Sequence, residues 1–238
     1  MRKTVLSMYR LHYAPDNASL AVRLMLESLG CAYETRLVDR AVRAHESAAY
    51  RALNPVGKIP ALETTRGVIF ETAAILLWLE DTHAGNAPAP GAPGRGDFLK
   101  WLFFAANTLH ADLRLIFYPQ DSVGEDRALQ ANLHAHVTKR LCRHYAILDE
   151  AAGARHAFFS GPGPTALDFY VASCMRWSAL YGPGGTDWFS LGAFPNLHRL
   201  ALRLEALPAA QSAAAAEGLG PTPFSAPQPC NPPEGSAV

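Results

Sequence analysis

Two short segments of this 238-residue chain concentrate residues able to hold a small polar ligand. The first is Asn54-Pro-Val-Gly-Lys-Ile-Pro-Ala-Leu62. Pro60 stands just before a predicted strand, where its missing N–H costs no ladder bond if the strand begins there. A proline so placed can be cis, which turns the preceding backbone outward. The N–H and C=O of Ile59 could then pair with an extended ligand as an added strand would, although an ordinary tight turn would use the same residues. The second segment is Phe70-Glu-Thr-Ala-Ala-Ile75, in which Glu71 or Thr72 opens a buried helix. A first helical turn presents free N–H groups that favour a carboxylate, and Glu71 beside them could take an ammonium. An acid next to free amides suits an α-amino acid moiety. Simple N-capping explains Thr72 and leaves Glu71 beside an apolar helix unexplained.

The elements that must position these groups follow from periodicity. Before residue 85 the pattern alternates: a strand over Met8–Tyr13, a helix over Leu20–Leu29 closed by Gly30, and a strand over Tyr33–Val38. A short helix over His45–Leu53, a hairpin of Ala61–Thr64 and Val68–Phe70 across Thr65-Arg-Gly67, and a buried helix over Ala73–Leu79 complete it. This order predicts a small α/β sandwich over residues 8–84. The Pro/Gly-rich stretch 85–96 reads as a linker. Beyond it, Asp97–Phe117, Glu125–Glu150, Thr165–Tyr181 and Asn196–Leu207 all read as helices, giving an all-helical domain over 97–217. Thr165-Ala-Leu-Asp168 is a capping box at the head of one of them, a structural feature. Residues 218–238, Pro-rich with few apolar anchors, read as a disordered tail.

Composition narrows the function classes. Lys and Arg number 21 against 21 Asp and Glu, with no basic run, which argues against nucleic acid and against an acidic membrane surface. No apolar stretch approaches the roughly 20 residues of a membrane helix. Four scattered cysteines without CxxC spacing, and no signal sequence, predict a reducing, cytoplasmic setting. The paired histidines of Leu133-His-Ala-His136 fall on different helix faces, so no metal is implied.

Taken together, the two segments resemble the glutathione S-transferase family, from about Tyr9 to Leu207. Asn54-Pro-x-Gly-Lys-Ile-Pro-Ala-Leu62 is similar to the family's segment leading into its cis-proline, and Glu71-Thr72 to its Glu-Ser/Thr pair. The resemblance implies a thioredoxin-like N-terminal domain, α/β in class, followed by an all-helical domain. It implies glutathione as co-substrate, with Ile59 and Pro60 against its cysteinyl part. Glu71 and Thr72 would hold the γ-glutamyl end, with Asn54 and Lys58 near the glycyl carboxylate. The activity implied is conjugation of the glutathione thiolate to a small apolar electrophile, in a cytoplasmic homodimer serving detoxification.

The thiol must be ionised to act as nucleophile. Tyr13-Ala-Pro-Asp-Asn-Ala-Ser-Leu20 is most like the bacterial beta class, which reads Tyr-x-Pro-Gly-x-Cys-Ser-Leu, and here the cysteine position holds Ala18. Mixed-disulfide chemistry at that position is thereby excluded. Asn17 and Ser19 offer an amide and a hydroxyl at a helix N-terminus that favours a thiolate, with Tyr13 the third candidate. His110 falls on the expected apolar stripe Leu99, Phe103, Ala106, His110, Leu113, Phe117. A lone histidine there is usually a satisfied core residue; in the beta class a histidine in a similar Leu-His segment faces the thiol. Two other functions compete: a non-catalytic binding or assembly module, which the missing cysteine motivates, and a peroxidase or disulfide reductase using bound glutathione as redox thiol.

Overall fold

Strand β1 (Tyr9–Tyr13) sits in the middle of a four-stranded sheet because both of its faces are covered. The Tyr9 ring lies edge-on to Trp78, and the Tyr13 ring lies under the Arg23 guanidinium, so the odd positions face the helices that carry Arg23 and Trp78. His12 lies 6.0 Å from the Tyr50 ring, so the even positions face α2. The computed structural model describes residues 9–237; Met8, expected to open this strand, lies outside them. The chain runs β1, α1 (Ser19–Ser28), β2 (Tyr33–Leu37), a 3-10 turn (Ala44–Glu46), α2 (Ala48–Leu53), β3 (Ala61–Thr64), β4 (Gly67–Phe70) and α3 (Thr72–Thr82). The sheet order β2-β1-β3-β4, with β2 parallel and β3 antiparallel to β1, is thioredoxin-like.

Caps set the helix ends. Gly30 takes φ +63 after α1, and the Cys31 N–H returns to the Leu26 carbonyl at 3.0 Å, a left-handed closure that glycine adopts without a Cβ clash. Ser47 caps α2 by accepting the Tyr50 N–H. Beneath the sheet Val38, Tyr50 and Ala61 form a small core with Leu53 and Ile59 packed on it.

The helical unit contains α4 (Arg95–Phe104), α5 (Ala111–Phe117), α6 (Gln120–Val123), α7 (Arg127–Gly153), α8 (Ala166–Leu180) and α9 (Pro195–Glu205). A π-helical segment, Ala105–His110, joins α4 to α5. The buried face keeps one helical period across it. The buried positions are Phe98, Leu102, Ala105, Leu109, Leu113 and Ile116, while Phe103, expected on the apolar stripe, is 46% exposed. Both arms of the expected capping box open α8, and Asp168 accepts the Thr165 N–H at 2.8 Å.

The C-terminal region departs from expectation. The chain divides into two units, residues 9–85 with 207–221 and 230–237, and residues 86–206 with 222–229. A further helix, α10 (Pro208–Glu217), therefore belongs with the sheet, where it packs on α1. Residues 218–237 are packed rather than disordered. In the helical unit Phe224 is buried, and the buried Arg176 guanidinium donates to the carbonyls of Pro223 and Gln228. Proline richness reduces backbone N–H donors but leaves every carbonyl available, and a buried arginine uses them.

Candidate functional site

Register brings the chemistry-bearing segments to one end of the sheet. His12 pairs with Ala61 and Ala61 with Phe70, and the Val38 N–H bonds the Tyr13 carbonyl at 2.8 Å. Leu37 pairs with Tyr13, and Leu37, Tyr13, Pro60 and Glu71 therefore follow one row. Both α1 and α3 begin at this end, so two positive helix termini are directed toward it.

The β3 side of the row is a cradle. The Ile59–Pro60 bond is cis, and the N–H and C=O of Ile59 carry no hydrogen bond among the described residues. Asn54 is buried and fully used: its Nδ2 donates to the Lys58 carbonyl at 2.7 Å, and its Oδ1 accepts the Val56 N–H at 3.1 Å. The Tyr50 hydroxyl donates to that same carbonyl at 2.7 Å. Asn54 thus shapes the loop, whereas the Lys58 side chain is exposed. Gly57, at φ +67, brings its Cα face within 3.0 Å of the His45 carbonyl for any added Cβ, so the turn admits no larger residue.

His45 is a residue that sequence reasoning used only to start a helix. Its Nδ1 is buried without a partner among the described residues. Burial pushes its pKa down, and the nearby Arg40, Lys58 and Arg43 cations do so further, against the pull of Glu46. Nothing in Ala44-His-Glu46 distinguishes this histidine from an ordinary surface one; only burial does.

Glu71 closes the cradle with φ 70 and ψ 117, a left-handed value for a residue with a side chain. Such a conformation costs about 1–2 kcal/mol and concentrates at ligand clamps. Its carboxylate is exposed, with no partner among the described residues. The Ile75 N–H bonds the Glu71 carbonyl at 3.0 Å, so the N–H groups of the first turn, from Thr72 onward, precede the helical ladder.

The β1–α1 loop is tied off instead. The Tyr13 hydroxyl donates to Glu234 Oε1 at 2.5 Å, and burial, reinforced by Glu234, raises its pKa. Ser19 is fully buried; its hydroxyl donates to the Ala14 carbonyl at 3.0 Å and accepts the Ala14 N–H at 3.4 Å. The Asn17 Oδ1 accepts the Ala18 N–H at 2.8 Å, which leaves the Nδ2 group without a partner among the described residues.

His110 belongs to the helical unit. Its Nδ1 pairs with the Tyr170 hydroxyl at 2.8 Å, and its ring lies 5.3 Å from the Trp177 ring. Burial first, and Arg114 second, push its pKa down to about 4, so the ring is neutral near pH 7.

A thioredoxin-like sheet with this cradle, joined in sequence to a helical unit, defines a glutathione-transferase-type protein. A family model described as glutathione S-transferase, N-terminal domain, matches residues 18–82. The solved structure of a sphingomonad glutathione S-transferase complexed with glutathione is 30% identical, with a TM-score of 0.73, over 89% of this chain and 100% of its own. Glutathione S-transferase GST-4.5 of Xanthomonas campestris pv. campestris is 28% identical over 191 residues, which is 78% of this chain and 90% of its own. Maleylpyruvate isomerase of Ralstonia sp is 29% identical over 162 residues, 66% of this chain and 75% of its own. The chain belongs to the glutathione S-transferase family. No helix among the described residues is long and apolar enough to cross a membrane.

Proposed function

We propose that the chain binds glutathione at the end of the sheet and transfers its thiolate to a small apolar electrophile. The observation that carries this reading is the cradle: Ile59 backbone groups with no hydrogen bond among the described residues, beside cis-Pro60 and next to a strained Glu71 at the start of α3. Ile59 would pair with the cysteinyl backbone and Glu71 with the γ-glutamyl ammonium. The first-turn amides from Thr72 onward would receive its carboxylate. The Lys58 cation and the His45 Nδ1, which has no partner among the described residues, would receive the glycyl carboxylate, on a loop shaped by Asn54.

Asn17 is the proposed thiol-activating donor. Its Nδ2–H, without a partner among the described residues, and the N-terminus of α1 stabilise a thiolate relative to a thiol, which lowers the sulfur's pKa. The thiol proton leaves to solvent; sulfur then attacks carbon, and the leaving group departs with its electron pair. Ser19 and Tyr13 serve as scaffold, because their hydroxyl protons are already donated to Ala14 and Glu234. His110 takes a packing role, neutral and bonded to Tyr170. The homodimer is part of this reading, with Val56, Val68 and Phe103 among the exposed apolar side chains available to it.

A second reading is favoured by the isomerase relative. The same thiolate would add to a carbon–carbon double bond, permit rotation and be expelled, leaving glutathione unchanged. Titration calorimetry with glutathione tests the shared part, and absence of binding overturns both readings. An aryl halide conjugation assay and a cis–trans isomerisation assay on an unsaturated diketo acid then separate them. Turnover of the aryl halide alone is the expected result; turnover of the diketo acid alone would replace transferase by isomerase.

A further inference from the structure

Glu217 is the last residue of α10, about 200 positions from the thiol loop, yet it is fully buried and bonded to that loop. Its Oε2 accepts the Asp16 N–H at 2.8 Å, and its Oε1 accepts Arg23 Nε at 2.7 Å. Asp16 lies one residue before Asn17 and takes φ 50, an unfavourable value for a residue with a Cβ. Its buried N–H requires an acceptor, and Glu217 supplies it. One carboxylate therefore ties the strained loop residue to the body of α1 through Arg23.

A buried ion pair is poor material for stability, since apolar side chains of similar volume often serve as well or better. The end of a helix is also the wrong pole for a carboxylate. What this arrangement does supply is a fixed geometry. The same region grips the loop a second time. Gly218 turns the chain at φ +65, its carbonyl accepts the Asn231 N–H at 2.8 Å, and the returning tail places Glu234 on Tyr13. Gly235 then approaches Leu37 and Pro15, and Arg40 donates to the Ala237 carbonyl. Of the residues the tail meets, Leu37 belongs to β2 and Arg40 follows it, while cis-Pro60 precedes β3 on the other side of β1. The loop is thus held by α10 at Asp16 and by the tail at Tyr13 and Pro15.

We infer that Glu217 is a positioning residue that holds the Asp16–Asn17 backbone so that the Asn17 amide meets the glutathione sulfur. The inference rests on the proposed glutathione reading. Its test uses the full chain with Glu217→Ala and, should that variant not fold, Glu217→Gln, which keeps the shape and removes the charge. The thiol pKa of bound glutathione is followed by thiolate absorbance against pH, and affinity for S-methylglutathione, which has no ionisable thiol, is measured in parallel. The expected result is a thiol pKa raised by about one unit, a tenfold loss of thiolate, with S-methylglutathione affinity changed less than about twofold. Adding Asp16→Gly should recover much of the shift, because glycine adopts φ 50 unaided. An unchanged thiol pKa in a less stable variant, or a parallel loss of S-methylglutathione affinity, overturns the inference. If the wild-type chain binds no glutathione, the functional reading is what fails. Hydrogen exchange then still decides the positioning role: Asp16 N–H protection should fall at least tenfold in the variant, and unchanged protection overturns it.

Discussion

The two sides of one sheet end are built on opposite principles. On the β3 side, polar groups are left open: among the described residues the Ile59 backbone groups and the buried His45 ring nitrogen have no partner, and Glu71 holds a strained conformation with its carboxylate exposed. On the β1–α1 side almost every polar group is closed: Tyr13 on Glu234, Ser19 on Ala14, Asp16 on Glu217. Leaving a buried polar group unsatisfied costs about 1–3 kcal/mol, so the open groups mark where a ligand completes the structure and the closed ones mark scaffold. Asn17, whose amide N–H group has no partner among the described residues, is the exception.

The largest test of this distinction lies in the helical unit, where His110 is a closed group. Its pKa is pushed from 6.5 to about 4, so the folded ring stays neutral while the unfolded ring gains a proton below pH 6.5. Protons then favour the unfolded chain. Stability from this group is complete above pH 6.5 and is lost as pH falls toward 4, by up to about 3 kcal/mol. His110→Asn, which does not titrate, should flatten that acid loss in denaturant unfolding at pH 7 and pH 4.5. Equal acid losses in both chains would show that His110 is open to solvent.

The next effect belongs to the open side. Glu71→Gly should lose about 2 kcal/mol of glutathione affinity, near thirtyfold, by removing a charged partner for the ammonium. Its melting temperature should stay level or rise, because glycine relieves the positive φ. A variant that melts lower while still binding glutathione would make Glu71 scaffold and erase the contrast.

That contrast also explains what was legible in the sequence. The cradle is written in two contiguous segments, where turn chemistry and helix starts act over a few residues, and so Ile59, Pro60, Glu71 and Thr72 could be named from spacing. The closed side depends on Glu217 and Glu234, which lie 201 and 221 positions from the groups they hold. No local pattern carries such a pairing. The Ala-rich α10 offers Pro208 at its start but little apolar periodicity, and the proline-rich tail imitates disorder while its carbonyls and Glu234 are bonded. The stripe through His110 lies one position off the buried face, because Phe98-Leu99, Leu102-Phe103 and Ala105-Ala106 offer two adjacent apolar stripes of the same period and periodicity alone does not choose between them.

Ser19 and Asn17 divide the thiol loop more finely. Ser19→Ala strands the buried Ala14 carbonyl and N–H and should cost about 1.5 kcal/mol in stability, with the thiol pKa of bound glutathione unchanged. Asn17→Ala should do the reverse, raising that pKa by about one unit, or 1.4 kcal/mol, at little cost to melting. Thiolate absorbance and thermal unfolding of both variants read the two effects separately. If Ser19→Ala moves the pKa and Asn17→Ala does not, the hydroxyl rather than the amide is the donor.

Tyr13→Phe is the smallest and most discriminating change. A tyrosine at the end of the first strand could donate to the sulfur, but this hydroxyl has one proton and it lies on Glu234. Redirecting it would require breaking a charge-assisted hydrogen bond in a buried setting, worth about 1.5–3 kcal/mol before any gain from the thiolate. Removing the hydroxyl should therefore shift the thiol pKa by less than about half a unit, while Tyr13→Phe and Glu234→Ala lower the melting temperature by similar amounts that do not add when combined. A thiol pKa that rises by a full unit in Tyr13→Phe, and falls in Glu234→Ala, would show that the tail withholds a donor the site can use, and would move Tyr13 from the closed side to the open one.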